Sequence, residues 1–273
     1  FQLEEVLARV ETHLALRALQ RGLQDANRRL ARELALAGSV QSSLLPKELP
    51  ALPGWKLSVM LQPARETSGD FYDICQLPNG HLGLIIADVV DKGAGAALYM
   101  ALSCTLLRTY AAEHPADPAR VLSCVNRRLI SDTDASEFVT VFYATLDPAT
   151  GRLRYGNAGH VPPYLVRRQS DVEVHALART GIPLGIYEDQ TWTEESLLLD
   201  PGDALVLYTD GVTDAQNARG AYFGAEHLLT VMQNGVGRSA PELQAGIQSA
   251  ITAFVGDARQ TDDIALVVVS RDE

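Results

Sequence analysis

Four aspartates lie far apart in the chain, each where an apolar run of strand length meets a turn: Asp70 in TSGDFYD, Asp88 in LGLIIADVVDKG, Asp210 in ALVLYTDGVTDA and Asp262 in RQTDDIALVVV. A carboxylate pressed against the end of a buried strand is costly unless something positive faces it. Neither Lys nor Arg recurs beside the four positions, and no Cys or His cluster accompanies them. All-oxygen donors of this kind suit a hard divalent cation, Mg2+ or Mn2+. Taken singly, a DG or DD step also suits a hairpin or a helix cap. The recurrence at four strand ends favours the ion. After Asp88 a glycine-bearing turn lets the carboxylate and the Val89 carbonyl point at one cation, and Gly211 permits a tight turn behind Asp210. In QTDDIALVVV either Asp262 or Asp263 stands at the sheet end.

With 273 residues, 47% of them hydrophobic, the chain can bury one large core, and its evenly spread apolar runs predict a single globular domain plus an appendage. No run approaches a membrane span, and no basic-then-apolar signal segment opens the chain. Cys75, Cys104 and Cys124 form neither a close pair nor a metal-type spacing, so they are expected to be reduced core thiols of a cytoplasmic protein. The charge is unevenly placed. Residues 1–36 carry six Arg against five acids, a net of +1, which leaves 17 basic and 29 acidic residues, a net of −12, in residues 37–273. An acidic body opposes binding to a phosphate backbone, so nucleic acid is an unsuitable partner.

Residues 1–40 read as one long helix, free of Pro and interrupted only by Gly22 before Gly38. Leu3, Leu7, Val10 and Leu14 form one apolar stripe; Leu16, Leu19, Leu23, Ala26 and Leu30 form another in a different phase. The first turns are expected to pack on a domain upstream, since the chain opens at Phe1 without Met, and the later ones to enter a two-helix seam with a second copy. The alternative is an amphipathic helix lying on its own domain. Residues 41–55 contain LLPKELPALPG and form a Pro-rich linker. Residues 56–273 hold candidate strands at 56–62, 70–77, 81–88, 138–147, 152–157, 163–168, 192–199, 204–208 and 264–270, with candidate helices at 95–112, 118–131, 225–234 and 240–255. Hairpin-spaced strands with helices in pairs predict an α+β layered sandwich.

The ordered set SGDFYD, ADVVDKGAGAAL, GNAGHVPPYL, GIPLGI, LDPGDALVLYTDGVTDAQN, YFG and DDIALVVV resembles the metal-dependent protein phosphatases (PPM, type 2C-like), in the SpoIIE/RsbU branch. The resemblance covers roughly Val40 to Arg271. It implies a β-sandwich of two mainly antiparallel sheets flanked by helices, with a cleft for two Mn2+ or Mg2+ ions at one end. By position, Asp88 corresponds to the carboxylate bridging both ions and Val89 to the residue lending its carbonyl. Asp70 corresponds to a ligand on the first-sheet side, Asp210 and Asp262 to the ligands closing the second position, and Asp263 to a supporting acid. Asp73 and Asp91 are nearby acids placed to hold water-bridged ions, with exposed turn residues as the favoured alternative. The implied chemistry is attack on phosphorus by a water that two ions about 3.5 to 4 Å apart activate. This fits the lack of a Cys-x5-Arg or aspartyl-phosphate signature. His160 is a candidate general acid, with a structural role as its alternative. Gly95, Asp214 and Ala265 depart from the residues common at their positions (Pro, Glu and Thr), and none of these departures removes a carboxylate ligand.

The opening FQLEEVLARVETHLALR resembles the last helix of a two-component receiver domain, so the expected parent is a response regulator with a phosphatase output, signalling through residues 16–40. The implied substrate is phosphoserine or phosphothreonine on a STAS-domain anti-sigma-factor antagonist, and the implied assembly is a homodimer through the N-terminal helix. No membrane role follows. The competing reading is a phosphatase-like binding and dimerisation module without turnover.

Overall fold

The computed structural model describes residues 3–133, 137–168 and 172–272. A long helix α1 (Leu3–Leu44) leads into β1 (Trp55–Gln62), β2 (Asp70–Gln76), β3 (Leu82–Val89), α2 (Ala94–Glu113) and α3 (Pro118–Asp132). There follow β4 (Val139–Leu146), β5 (Arg152–Ala158), β6 (Tyr164–Arg168), β7 (Val172–Ala176), β8 (Glu195–Leu198) and β9 (Ala204–Tyr208). The chain ends with a one-turn helix α4 (Asp210–Thr213), α5 (Gly224–Asn234), α6 (Ala240–Val255) and β10 (Ile264–Arg271).

Two five-stranded antiparallel sheets, ordered β1-β10-β9-β6-β7 and β2-β3-β4-β5-β8, face one another. The alternation along β3 explains the stacking. Leu82, Leu84 and Ile86 point between the sheets, where they meet Leu205, Leu207, Val267 and Val269. Ile85, Ala87 and Val89 point outward against Met100, Leu107, Val121 and Leu129 of α2 and α3. On the other sheet, Leu266 and Val268 look outward onto Leu228, Met232, Leu243 and Ile247 of α5 and α6. Central strands are thus covered on both faces, which is why they appear in sequence as unbroken apolar runs and not as alternating ones. The expected α+β sandwich is the observed one.

Some boundaries differ from expectation, each for a local reason. The helix α1 continues through Leu44 because Arg108 of α2 donates to the Leu44 carbonyl (2.6 Å), satisfying an acceptor at the helix end. Trp192 lies outside any strand: its Nε1 donates to the Ile182 carbonyl (2.8 Å) and its ring packs over Gly181, leaving Glu195–Leu198 as a short edge strand. The edge strand β7 was not anticipated, since VEVHA carries two polar residues in five and an edge strand needs little apolar signal.

Most of α1 stands clear of the sandwich. Leu19, Leu23 and Leu30 are 70%, 64% and 57% exposed. The helix meets the body only at its C-terminal end. Gly38 lies so close to the Glu66 carbonyl that a Cβ there would sit 1.9 Å from it, and the Gln41 side-chain amide both donates to and accepts from the Ser68 backbone.

Candidate metal centre

The acids of the two sheets meet at one end of the sandwich. In the antiparallel register of β2 and β3, Asp70 is directly opposite Asp88. Across from them, β9 and β10 pair antiparallel, so that Asp210, just after β9, and Asp262 and Asp263, just before β10, share an end as well. This junction is fixed by the Thr209 N–H donating to the Ala265 carbonyl (3.1 Å) and the Ala265 N–H donating to the Thr209 hydroxyl (2.9 Å). Asp263 ties the two sheets together: its Oδ1 accepts from the Ala64 N–H (2.7 Å) and its Oδ2 from the Gly69 N–H (2.8 Å). Both of its oxygens therefore hold the loop that enters β2.

Two glycines shape the floor. A Cβ on Gly69 would lie 3.0 Å from the Val89 carbonyl oxygen and 3.8 Å from Asp88 Oδ1, so a side chain there would crowd both oxygens. A Cβ on Gly211 would lie 1.8 Å from the Asp263 carbonyl oxygen. Gly211 is needed for close approach between the Asp210 turn and the start of β10, and not for a tight turn with positive φ. Positive φ occurs instead at Asp91 (80°), whose Oδ1 accepts from the Lys92 N–H at 2.7 Å.

The electrostatics are those of a site short of positive charge. Asp70 is only 3% exposed, and its Oδ2 is buried with no hydrogen-bond partner among the described residues. Burial, and then the facing Asp88, hold its carboxyl well above the usual carboxylate range. Burial, and then Asp210, push Asp88 up to about 7. Asp210 is raised by burial and by Asp262. One cation does enter, contrary to the sequence expectation: Lys92 Nζ stands 2.6 Å from Asp262 Oδ1 and donates to the Thr261 carbonyl. The DKG turn places it there, and its position four residues after Asp88 was the available signal.

An orphaned buried carboxylate oxygen, a glycine cradle open to a carbonyl, and an all-oxygen donor set short of positive charge fit a hard divalent cation. Among the described residues no three acid, His or Cys side chains are already gathered at metal-ligand spacing. Lys92 is paired with Asp262, whereas Asp70 and Asp88 face each other, and the charge of Asp88 opposes that of Asp70.

The metal-free protein should register this repulsion. Asp70 and Asp88 hold protons in the folded state above the ordinary value of 3.8, so the stability they contribute is complete below about pH 4. It is lost as pH rises through about 7 for Asp88. Scanning fluorimetry without metal should show the melting temperature falling between about pH 4 and 7, and Mn2+ should reduce the fall. A flat metal-free profile would contradict this account.

The other candidates lie elsewhere. Asp73 is not an exposed turn residue: it is 1% exposed in β2 and paired with the Arg108 guanidinium, away from the cleft. Asp91 is exposed in the turn after Asp88, as expected. His160 is 1% exposed, with Nδ1 2.8 Å from the Thr140 hydroxyl and Nε2 3.0 Å from the Tyr208 carbonyl. The carbonyl can only accept, so Nε2 carries the hydrogen and Nδ1 accepts from Thr140. Burial lowers its pKa to about 4, so the ring is neutral at pH 7 and bridges the two sheets. That geometry supports the structural role. A side chain at Gly95 would meet nothing within 4 Å, so this departure carries no steric cost. Ala265 is fully buried between the sheets, and the exposed Asp214 adds to the charge raising Asp210.

Comparison with known proteins agrees with this architecture. The family described as Stage II sporulation protein E (SpoIIE) matches residues 78–272. Phosphoserine phosphatase RsbU of Bacillus subtilis is 29% identical over 261 residues, spanning 96% of this chain and 74% of that protein. Protein IcfG of Synechocystis sp. is 33% identical over 267 residues, 88% of this chain, and phosphoserine phosphatase RsbP of Bacillus subtilis is 33% identical over 187 residues, 67% of it. The chain spans only 41% of the length of IcfG and 45% of that of RsbP. Among solved structures, the SiaA-PP2C domain of Pseudomonas aeruginosa superposes with a TM-score of 0.80 at 20% identity, covering 91% of this chain and 99% of that one. RsbX, solved in complex with magnesium, superposes with a TM-score of 0.62 at 13% identity, covering 82% of this chain and 99% of that one.

Proposed function

We propose that this chain, which belongs to the Stage II sporulation protein E (SpoIIE) family, is a divalent-cation-dependent phosphatase acting on phosphoserine or phosphothreonine of a regulatory protein. The observation that carries the reading is the juxtaposition of Asp70 and Asp88 in register, with Asp210 and Asp262 at the same end of the facing sheet. The names of RsbU and RsbP, phosphoserine phosphatases, support the reaction class.

In this reading Asp88, flanked by Asp70 and set against Asp210, would hold both ions, with the Val89 carbonyl and Asp70 on one side and Asp210 and Asp262 on the other. Asp263 is a positioning residue, because both of its oxygens are taken by the Ala64 and Gly69 N–H groups. When bound, a pair of Mn2+ or Mg2+ ions supplies an acidified water and neutralises charge on the phosphoryl group. The chain's own residues shape the cleft, keep the carboxylates oriented and, through Lys92, place a cation at its rim. A covalent cysteine route is disfavoured, since burial pushes the Cys75 and Cys104 thiols up to about 11. One observation favours the alternative of a binding module without turnover: Lys92 already occupies the Asp262 carboxylate. Phosphate release from a phosphoserine peptide, measured with and without Mn2+, decides between them. Release that requires the cation supports the phosphatase, and a cation-binding protein that releases none supports the module.

Three further features belong to the same proposal: a receiver domain upstream, a STAS-domain antagonist as substrate, and a homodimer through α1. The exposed stripe at Leu16, Leu19, Leu23 and Leu30 supports the last, because an isolated helix presenting such a seam gains stability by pairing. Light scattering should give twice the chain mass at micromolar concentration, and Leu23→Glu should give the single mass. A monomer at every concentration would exclude the seam.

A further inference from the structure

Beside the carboxylates, between α6, the ends of β1 and β10 and the turn after α4, lies a cavity of about 190 Å³. Gly211 and Asp262 form part of its wall, so it begins where the candidate metal centre ends. Its sides are apolar, from Met60, Ile251, Val255 and Ile264. Among the described residues lining it Asp262 is the only charged one, and that carboxylate is engaged by Lys92. The Gln260 side chain is committed to Gln62 and to the Asp262 carbonyl, and so braces the rim. Gln216 and Gln248 also line the cavity with uncharged amides.

We propose that this cavity is a substrate subsite that takes one apolar side chain of the phosphorylated protein, one or two residues from the phosphoresidue. The inference rests on the phosphatase reading and goes beyond it by assigning a sequence preference. Three arguments select the occupant. The volume suits a single side chain of Leu or Met size and is below the range of about 300 to 1,000 Å³ that small-molecule sites occupy. The walls desolvate an apolar group without stranding a charge. A residue held at the carboxylates places its neighbours about 3.3 to 3.6 Å further along an extended chain per step, and Asp262 itself forms part of the cavity wall. The uncharged amides at the wall suit the backbone of such a segment.

The test uses the 273-residue chain with Mn2+ and two kinds of probe. One is p-nitrophenyl phosphate, which has no neighbouring residue. The other is a set of alanine-based phosphoserine pentapeptides in which Leu replaces Ala at each flanking position in turn. The expected result is a kcat/KM about tenfold higher for Leu than for Ala at one position, equivalent to ~1.4 kcal/mol. Thr252 and Ala258 also line the cavity, outside the carboxylate cluster, so Thr252→Trp and, separately, Ala258→Leu fill it. Each should cut the Leu preference to below about twofold while leaving p-nitrophenyl phosphate turnover unchanged. No Leu preference at any position in the unaltered chain, or a preference that survives in both filled variants, overturns the subsite. Fluorescence anisotropy with the labelled Leu and Ala peptides reads the same preference as binding, independently of turnover. A preparation that hydrolyses neither probe but binds the Leu peptide more tightly would therefore refute the phosphatase reading and retain the pocket.

Discussion

Replacing Asp88 by Asn should abolish cation-dependent phosphate release, by about a thousandfold or more, while raising the melting temperature of the metal-free protein. The two effects have one cause. Asp88 is partly buried between Asp70 and Asp210, and its charge is opposed by desolvation first and by those neighbours second. Removing that charge relieves repulsion in the absence of a cation, so the fold gains. The same charge is what two cations would share, so its loss removes several kcal/mol of transition-state stabilisation at 1.36 kcal/mol per tenfold. Calorimetric titration with Mn2+ supplies a readout independent of turnover, and the heat of binding should shrink or vanish in Asp88→Asn. If the variant keeps its activity, Asp88 does not hold the cations. If it melts lower without metal, the site is not electrostatically strained in the way its burial implies. A stability gain accompanied by loss of activity is the signature of a site held together against its own repulsion.

The parts of this molecule legible in its sequence are those fixed by strand burial. β3, β9 and β10 are covered on both faces, and their apolar runs announced both the strands and the acidic ends where they stop. The edge elements were harder. β8 has four residues where the sequence predicts a strand over 192–199, and β7 carries no sequence signal, because an edge strand is set by its neighbour's free hydrogen-bonding groups and not by its own composition. At the site, the carboxylates could be found from their strand-end positions, whereas their separate roles were implied only by the family resemblance. Nothing in the DD step distinguishes Asp262 from Asp263. In the structure, backbone N–H groups of Ala64 and Gly69, nearly two hundred residues away in sequence, claim both Asp263 oxygens, which supports the positioning role proposed for Asp263. The same holds for Asp73, whose burial follows from an arginine on α2, and for Lys92, which a turn with positive φ at Asp91 carries back to Asp262. Long-range pairings of this kind leave no local pattern to read.

Gly211→Ala should damage the protein nearly as severely, by a steric route. The added Cβ would stand 1.8 Å from the Asp263 carbonyl oxygen and 2.9 Å from its carbon, both backbone atoms. Neither side can yield cheaply. The start of β10 is pinned by the Asp263 carboxylate to Ala64 and Gly69 and by the paired Thr209 and Ala265 bonds, and α4 begins only two residues after β9. Relief must come from displacing α4, which carries Asp210, or from breaking the Asp263 bridge between the sheets. Overpacking of this kind costs about 1–3 kcal/mol or more, and about 2–4 °C of melting temperature accompanies each kcal/mol in a chain of this size class. A fall of about 5 °C or more is expected, together with loss of the Mn2+-induced rise in melting temperature. Gly95→Ala is the matched control: it adds the same methyl group near the start of α2, where nothing lies within 4 Å. It should leave activity intact and hold or slightly raise stability, since Ala is the better helix former by up to about 1 kcal/mol. Equal behaviour of the two variants would mean that the Asp210 turn moves freely against β10, and that the second sheet does not fix the geometry of the acids.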